Sequence, residues 1–169
     1  IPGPGNLTPR AFADRVAEAL ADALQPFGVP AGRAGGRAPR DSPARPGEMP
    51  CFARTAPGEV TAGGFKIAGL ASRFARAAAL CHASVPLTAR HRDVARFREN
   101  GAGDRATLER HARSVGELLG AVVDAEAIAD RLAEAVATRF GASLREGDFS
   151  IVDVRVAAPV ATLAGAPAR

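Results

Sequence analysis

The chain has 169 residues, 47% of them apolar and only 5% aromatic, with a formal charge of +4. That is enough apolar material for one domain whose core is built from Ala, Val, Leu, Ile and Phe. No apolar run reaches the length of a membrane span, no secretory signal opens the chain, and Cys51 and Cys81 lack any Cys-x-x-Cys or histidine cluster. Membrane insertion, a disulfide scaffold and a metal site are therefore excluded as expectations, and a cytoplasmic protein is the default.

In chain order, Thr8 followed by Pro9 predicts a helix start, with the hydroxyl as cap and proline at the first helical position. Phe12, Val16, Leu20 and Leu24 then recur every four residues and predict a core-packing helix that stops near Pro26 to Gly28. Residues 30–50 hold five prolines, four glycines and four arginines, which predicts a mobile loop within a single domain over 1–169. Val60 to Ile67, with Gly63-Gly64 between the two apolar runs, predicts a hairpin, because a tight two-residue turn needs positive φ. Leu80 to Leu87 reads as another strand with Pro86 near its end. Asp124 with Glu126 in the first turn predicts a helix through Ile128, Leu132, Val136 and Phe140, stopped by Gly141. Residues 149–156 alternate enough to be a last strand or a helix start.

Lys66 is the only lysine beside 21 arginines and lies in the run Gly63-Gly64-Phe65-Lys66-Ile67-Ala68-Gly69. Arginine is a planar, permanently charged fork, whereas lysine is a compact point charge on a flexible stem, so a lone lysine among turn glycines suits a task arginine cannot perform. The charge is also uneven. Residues 66–98 hold Lys66 and six arginines against Asp93 alone, a local balance of +6, which can steer an acidic protein or hold a phosphate. Phe74 and Phe97 are the only aromatics in that segment, too few for base stacking, so nucleic acid is not the expected partner.

Cys51-Phe52, then Gly64-Phe65-Lys66-Ile67-Ala68-Gly69, then Arg73, then Leu80-Cys81-His82-Ala83-Ser84 resembles the lipoate-protein ligase and octanoyltransferase family. That family carries a Cys-Phe pair, a Gly-Arg-Lys-(Val/Ile/Leu)-(Ala/Val)-Gly-Ser-Ala-Gln-Arg-Arg segment and a Gln-His-Gly-Ser strand in this order. Ser114 to Leu119, the helix after Asp124 and Phe140-Gly141 also follow its layout. The resemblance implies an α+β fold, a mixed sheet flanked by helices of the biotin/lipoate protein ligase type. It further implies transfer of a lipoyl or octanoyl group to a lysine of a lipoyl domain.

Residue by residue, the resemblance implies that Lys66 contacts the acyl carbonyl and, in ATP-using members, the adenylate phosphate. Cys51 matches the acyl-thioester nucleophile of the octanoyltransferase branch. Gly69, Arg73, His82 and Ser84 match substrate-binding positions, and Cys81 reads as packing. The implied substrates are lipoate or an octanoyl group, with ATP and Mg only in the ligase branch. The implied partners are acidic lipoyl-domain proteins (2-oxo acid dehydrogenase subunits and the glycine cleavage H protein) and acyl carrier protein.

Several positions depart from the family pattern. Phe65, Leu70, Ser72 and Phe74 replace Arg, Ser, Gln and Arg, while Cys81 and Ala83 replace Gln and Gly. The family's N-terminal Arg-Arg-x-x-Gly-Gly loop has no match, which implies a C-terminal portion, a fragment or half of a split enzyme, with an exposed sheet edge. A biotin protein ligase tolerates the run Lys66 to Leu70 as well, and a non-catalytic relative that binds an acidic lipoyl domain is the rival from another class.

Overall fold

A computed structural model of the protein describes residues 7–35, 50–74 and 79–143. The first helix, α1 (Pro9–Leu24), starts as its sequence dictates: the Thr8 hydroxyl accepts a hydrogen bond from the Ala11 amide at 3.2 Å, with Pro9 beginning the helix. Its apolar stripe buries Phe12, Leu20 and Leu24, and full burial of each leucine contributes roughly 1.5–3 kcal/mol. A 3₁₀ turn over Gln25–Phe27 closes on Gly28 at φ 87°, a conformation that glycine adopts without a Cβ penalty.

Four antiparallel strands follow in the sheet order β1 (Ala31–Arg33), β2 (Val60–Ala62), β3 (Phe65–Phe74) and β4 (Ala79–Ser84). The expected hairpin is β2–β3, and its turn places Gly63 at φ 56° and Gly64 at φ 83°. The predicted strand at Leu80 is β4, which ends at Ser84, two residues before Pro86. The loop expected over 30–50 needs correction at its start, where Ala31–Arg33 pairs with Val60–Ala62 as β1. Arg33 is held there by Asp14 (3.2 Å) and Glu18 (3.8 Å) of α1, so backbone pairing and two carboxylates outweigh a loop-forming composition. Residues 36–49 and 149–156 lie outside the described residues.

β3 carries a bulge that decides what each face presents. Ala62 pairs with Phe65 and Thr61 with Lys66, but Val60 pairs with Ala68, leaving Ile67 as the extra residue. A bulge interrupts the period-two alternation, so Ile67 and Ala68 both enter the main core, where Leu70 also packs. Lys66 is thereby released to the opposite face, the one shared by Gly69.

The last long helix among the described residues, α4 (Ala125–Phe140), is capped by the Asp124 carboxylate, which accepts from the amides of Glu126 (2.9 Å) and Ala127 (3.4 Å), and it ends at Gly141 with φ 57°. It packs beside α1 on the core face of the sheet, where Phe12 meets Phe74 and Phe140 with ring centroids 5.2 and 5.5 Å apart. Arg139 joins the two helices through Asp22 and Glu18 at 2.6–2.7 Å. These bridges are half-exposed and orient the pair more than they stabilise it.

Between β4 and α4 the chain forms elements that the apolar periodicity did not announce: a 3₁₀ helix over Ala89–Phe97, α2 (Gly101–His111) and the short α3 (Val115–Leu119). α2 buries only Asp104 and Leu108, too little to print an apolar stripe. α3 opens with a capping box in which the Ser114 hydroxyl accepts from the Glu117 amide at 3.2 Å and the Ser114 amide donates to Glu117 Oε2 at 2.9 Å. Arg92 donates to Glu117 Oε1 at 2.6 Å.

Desolvation pulls the Glu117 carboxyl upward, but the Ser114 amide and hydroxyl together with Arg92 outweigh it, and the group titrates below the ordinary glutamate value. A carboxyl depressed by folding stabilises the fold above its unfolded pKa and loses that contribution as pH falls through its folded one. Glu117→Gln is therefore expected to cost about 1 kcal/mol near neutrality. The deficit should shrink below about pH 4, as urea unfolding at the two pH values would measure. A deficit that does not change with pH would contradict this account of the carboxylate.

Candidate functional site

Lys66 is 3% exposed, and the structure explains how a charge is kept there. Its Nζ donates to the Cys51 carbonyl at 2.8 Å, the Arg54 carbonyl at 3.1 Å and Glu59 Oε1 at 2.6 Å. An ammonium has three donors, and all three are used. Glu59 is fixed in turn, because its Oε2 accepts from the Ala56 amide at 2.6 Å. The Phe52 ring lies 5.1 Å from Nζ, a distance at which its negative face attracts the cation. Lysine is needed here because a compact ammonium can converge on two carbonyls and one carboxylate where a planar fork cannot. The backbone of Lys66 is tied as well, its carbonyl accepting from the Arg113 amide at 3.1 Å.

Gly69 makes the space beside this charge. A Cβ built on Gly69 would lie 3.6 Å from Lys66 Cε, 3.7 Å from Nζ and 3.8 Å from Phe52 Cζ. Glycine thus leaves a gap of about one methyl group directly over the ammonium. Ser84 pairs opposite Gly69, His82 opposite Ala71 and Leu80 opposite Arg73, and directly opposed residues share a face. All these positions therefore lie on the face away from α1 and α4, and Ala71, Arg73, Leu80, His82 and Ser84 are exposed on it.

The expected site residues separate along that face. Lys66, Gly69 and Ser84 come together, and Cys51 joins them through its carbonyl while its residue is exposed. His82 is two residues farther along β4, and Arg73 is four residues past Gly69 on β3, roughly 13 Å away. Cys81 lies on the other face in contact with the Ser72 hydroxyl at 3.3 Å, and it lines an apolar groove with Phe12, Val16 and Leu132.

Two participants were missed. Glu59 is the only acidic residue between Glu48 and Asp93, a signal as legible as the lone lysine it pairs with. His91 packs on Phe52 with ring centroids 5.9 Å apart. Its Nδ1 lies 3.1 Å from the Thr88 carbonyl, and its Nε2 is buried without a hydrogen-bond partner. Among the described residues no three His, Cys, Asp or Glu side chains are grouped to hold a metal, and no helix is long and apolar enough to cross a membrane.

A buried ammonium next to a glycine-made opening can stabilise negative charge that develops on an oxygen placed in that opening. Direct contact requires the oxygen to replace the Cys51 or Arg54 carbonyl, since no donor is spare.

This architecture, a mixed α+β fold with a sheet flanked by helices, is that of the lipoate-protein ligases. Two solved structures carry the likeness. One is a T. acidophilum protein assigned as a lipoate protein ligase and solved with bound lipoic acid (TM-score 0.60, 16% identity), of which 50% is covered by 85% of this chain. The other is lipoate-protein ligase A bound with ATP (TM-score 0.58, 18% identity), of which 51% is covered by 85% of this chain. The chain thus spans about half the length of these proteins, and identities this low establish the fold. No protein-family model and no curated protein matches the sequence.

Proposed function

We propose that the chain contributes the lysine-bearing half of an acyl-transfer site that attaches a lipoyl or octanoyl group to a lysine of a lipoyl-domain protein, within a longer or split enzyme. The observation that carries this reading is Lys66 buried beneath the Gly69 opening on the exposed face of a ligase-type sheet. In the ligase form, a lipoate carboxylate oxygen attacks the α-phosphorus of ATP and pyrophosphate leaves. The acceptor amine then attacks the acyl carbon and AMP leaves. Lys66 stabilises the oxygen on which charge builds in each step. The related solved proteins hold lipoic acid and ATP, which favours this form over ATP-free octanoyl transfer. Magnesium in this scheme is carried by the nucleotide phosphates.

Cys51 serves as nucleophile only in the octanoyl form, where its thiolate takes the acyl group as a thioester. Gly69 and Ser84 line the acyl side of the opening, with His82 and Arg73 farther out toward the acceptor. A cytoplasmic enzyme acting on 2-oxo acid dehydrogenase subunits or the H protein fits this chemistry.

The second reading, a non-catalytic relative that binds lipoyl domains, is favoured by one observation: every Lys66 donor is already engaged within the protein. The deciding experiment incubates the protein with ATP, lipoate and an apo-lipoyl domain. Pyrophosphate release and a lipoyl mass gain on the domain support the enzyme, and a Cys51 octanoyl thioester from octanoyl carrier protein supports the ATP-free branch. Lipoyl-domain binding with none of these products establishes the non-catalytic reading.

A further inference from the structure

The 3₁₀ helix Ala89–Phe97 is unusually long for its type and repeats every three residues, so side chains three apart eclipse one another. That geometry sorts its residues into three rows. Arg92 and Ala95 are buried, and the next residue of their row, Arg98, is half-buried. Arg90, Asp93 and Arg96 make a charged row, in which Asp93 lies 3.9 Å from both Arg90 and the α2 residue Arg105. His91, Val94 and Phe97 make the third row. It starts against Phe52 at the Lys66 site and ends, roughly 12 Å away, in a phenylalanine that is 87% exposed after a valine that is 46% exposed.

We infer that this row is a docking ridge for the protein substrate, an acidic protein whose carboxylates meet Arg90, Arg96 and Arg105 while an apolar side chain covers Phe97. The inference rests on the acyl-transfer reading, since it explains how an acceptor lysine is brought to that site. Charge supports the occupant: Asp93, 3.9 Å from Arg90 and Arg105, and Glu109, 3.2 Å from Arg105, face three exposed guanidiniums, which leaves an excess positive charge on the ridge. A second copy of the chain would oppose like charges at this surface. A nucleic acid would find Phe97 as the only exposed ring of the helix, too few for stacking. An exposed aromatic framed by arginines is also the composition of an interface hot spot, in which the ring supplies affinity and the charges supply orientation and rate.

The test titrates the full chain with a purified acidic apo-lipoyl domain by calorimetry at ~50 and ~200 mM salt. Phe97→Ser and Arg96→Glu are each expected to weaken binding at least tenfold, the second mainly at low salt. Val122→Ser, which alters a fully exposed side chain elsewhere, should leave binding unchanged. Binding by the Phe97 and Arg96 variants equal to that of the unaltered chain, no binding by the unaltered chain, or tighter binding of an RNA oligonucleotide overturns the inference. Lipoate-dependent pyrophosphate release needs no acceptor, so it separates the two proposals. Release and transfer that are indifferent to Phe97 leave the enzyme standing and remove the ridge. Phe97-dependent binding without release does the reverse.

Discussion

Lys66→Ala is expected to abolish lipoyl transfer and to weaken the fold. Removing the ammonium leaves Glu59, its side chain 13% exposed, without its cation, and frees the carbonyls of Cys51 and Arg54 from their donor. Stripping one member from a buried pair costs about 3–5 kcal/mol, so loss of activity alone would not separate chemistry from folding. Lys66→Met combined with Glu59→Gln makes that separation. The double variant keeps volume and a partner for the Ala56 amide while removing both charges, and it should recover at least about 1 kcal/mol in urea unfolding relative to Lys66→Ala. Activity should stay at least ~10²-fold down in both variants if the charge acts on the substrate. Activity returning with stability would reduce Lys66 to a staple for the 51–59 segment.

Gly69→Val is expected to have the opposite signature, a stable protein without activity. Gly69 has no positive φ to protect, and its Cβ position meets neighbours only at ordinary contact distances of 3.6–3.8 Å. A β-branched residue also suits a strand. The branches would occupy the opening over Nζ, so acyl transfer should fall about a hundredfold or more, by analogy with the loss of one oxyanion-stabilising donor. The unfolding midpoint should stay the same or rise. Gly69→Ala should fall between valine and glycine in activity. A fully active valine variant would show that substrate reaches Lys66 from another direction.

The parts of the fold legible in the sequence were those in which one local rule sufficed. Thr8-Pro9, Asp124 and Gly141 mark helix ends because capping involves only neighbouring residues, and Gly63-Gly64 marks its turn because two consecutive positive φ angles leave little choice. β1 was hidden because three residues in a Pro/Gly/Arg-rich stretch become a strand only through distant partners, Val60–Ala62 and the carboxylates of α1. The 3₁₀ helix and α2 escaped because each buries few apolar side chains. The Ser114 capping box and the isolated Glu59 were readable signals that went unused. Of the site, Lys66 and Gly69 stood out by residue type, whereas the convergence of Cys51 and Arg54 on the ammonium uses backbone carbonyls, which no side-chain pattern encodes.

The bulge at Ile67 works like a frameshift in a message read two letters at a time. Downstream of it, odd-numbered residues of β3 reach the open face. Upstream, the parity is inverted, and that inversion alone puts an even-numbered lysine beside Gly69. Deleting one residue here would keep every functional side chain and restore regular pairing with β2. Lys66 would then keep its place opposite Thr61 on the face of Gly69, whereas regular pairing with no residue removed would turn it to the oily side of the sheet, so the site is written in the count of residues as much as in their kinds.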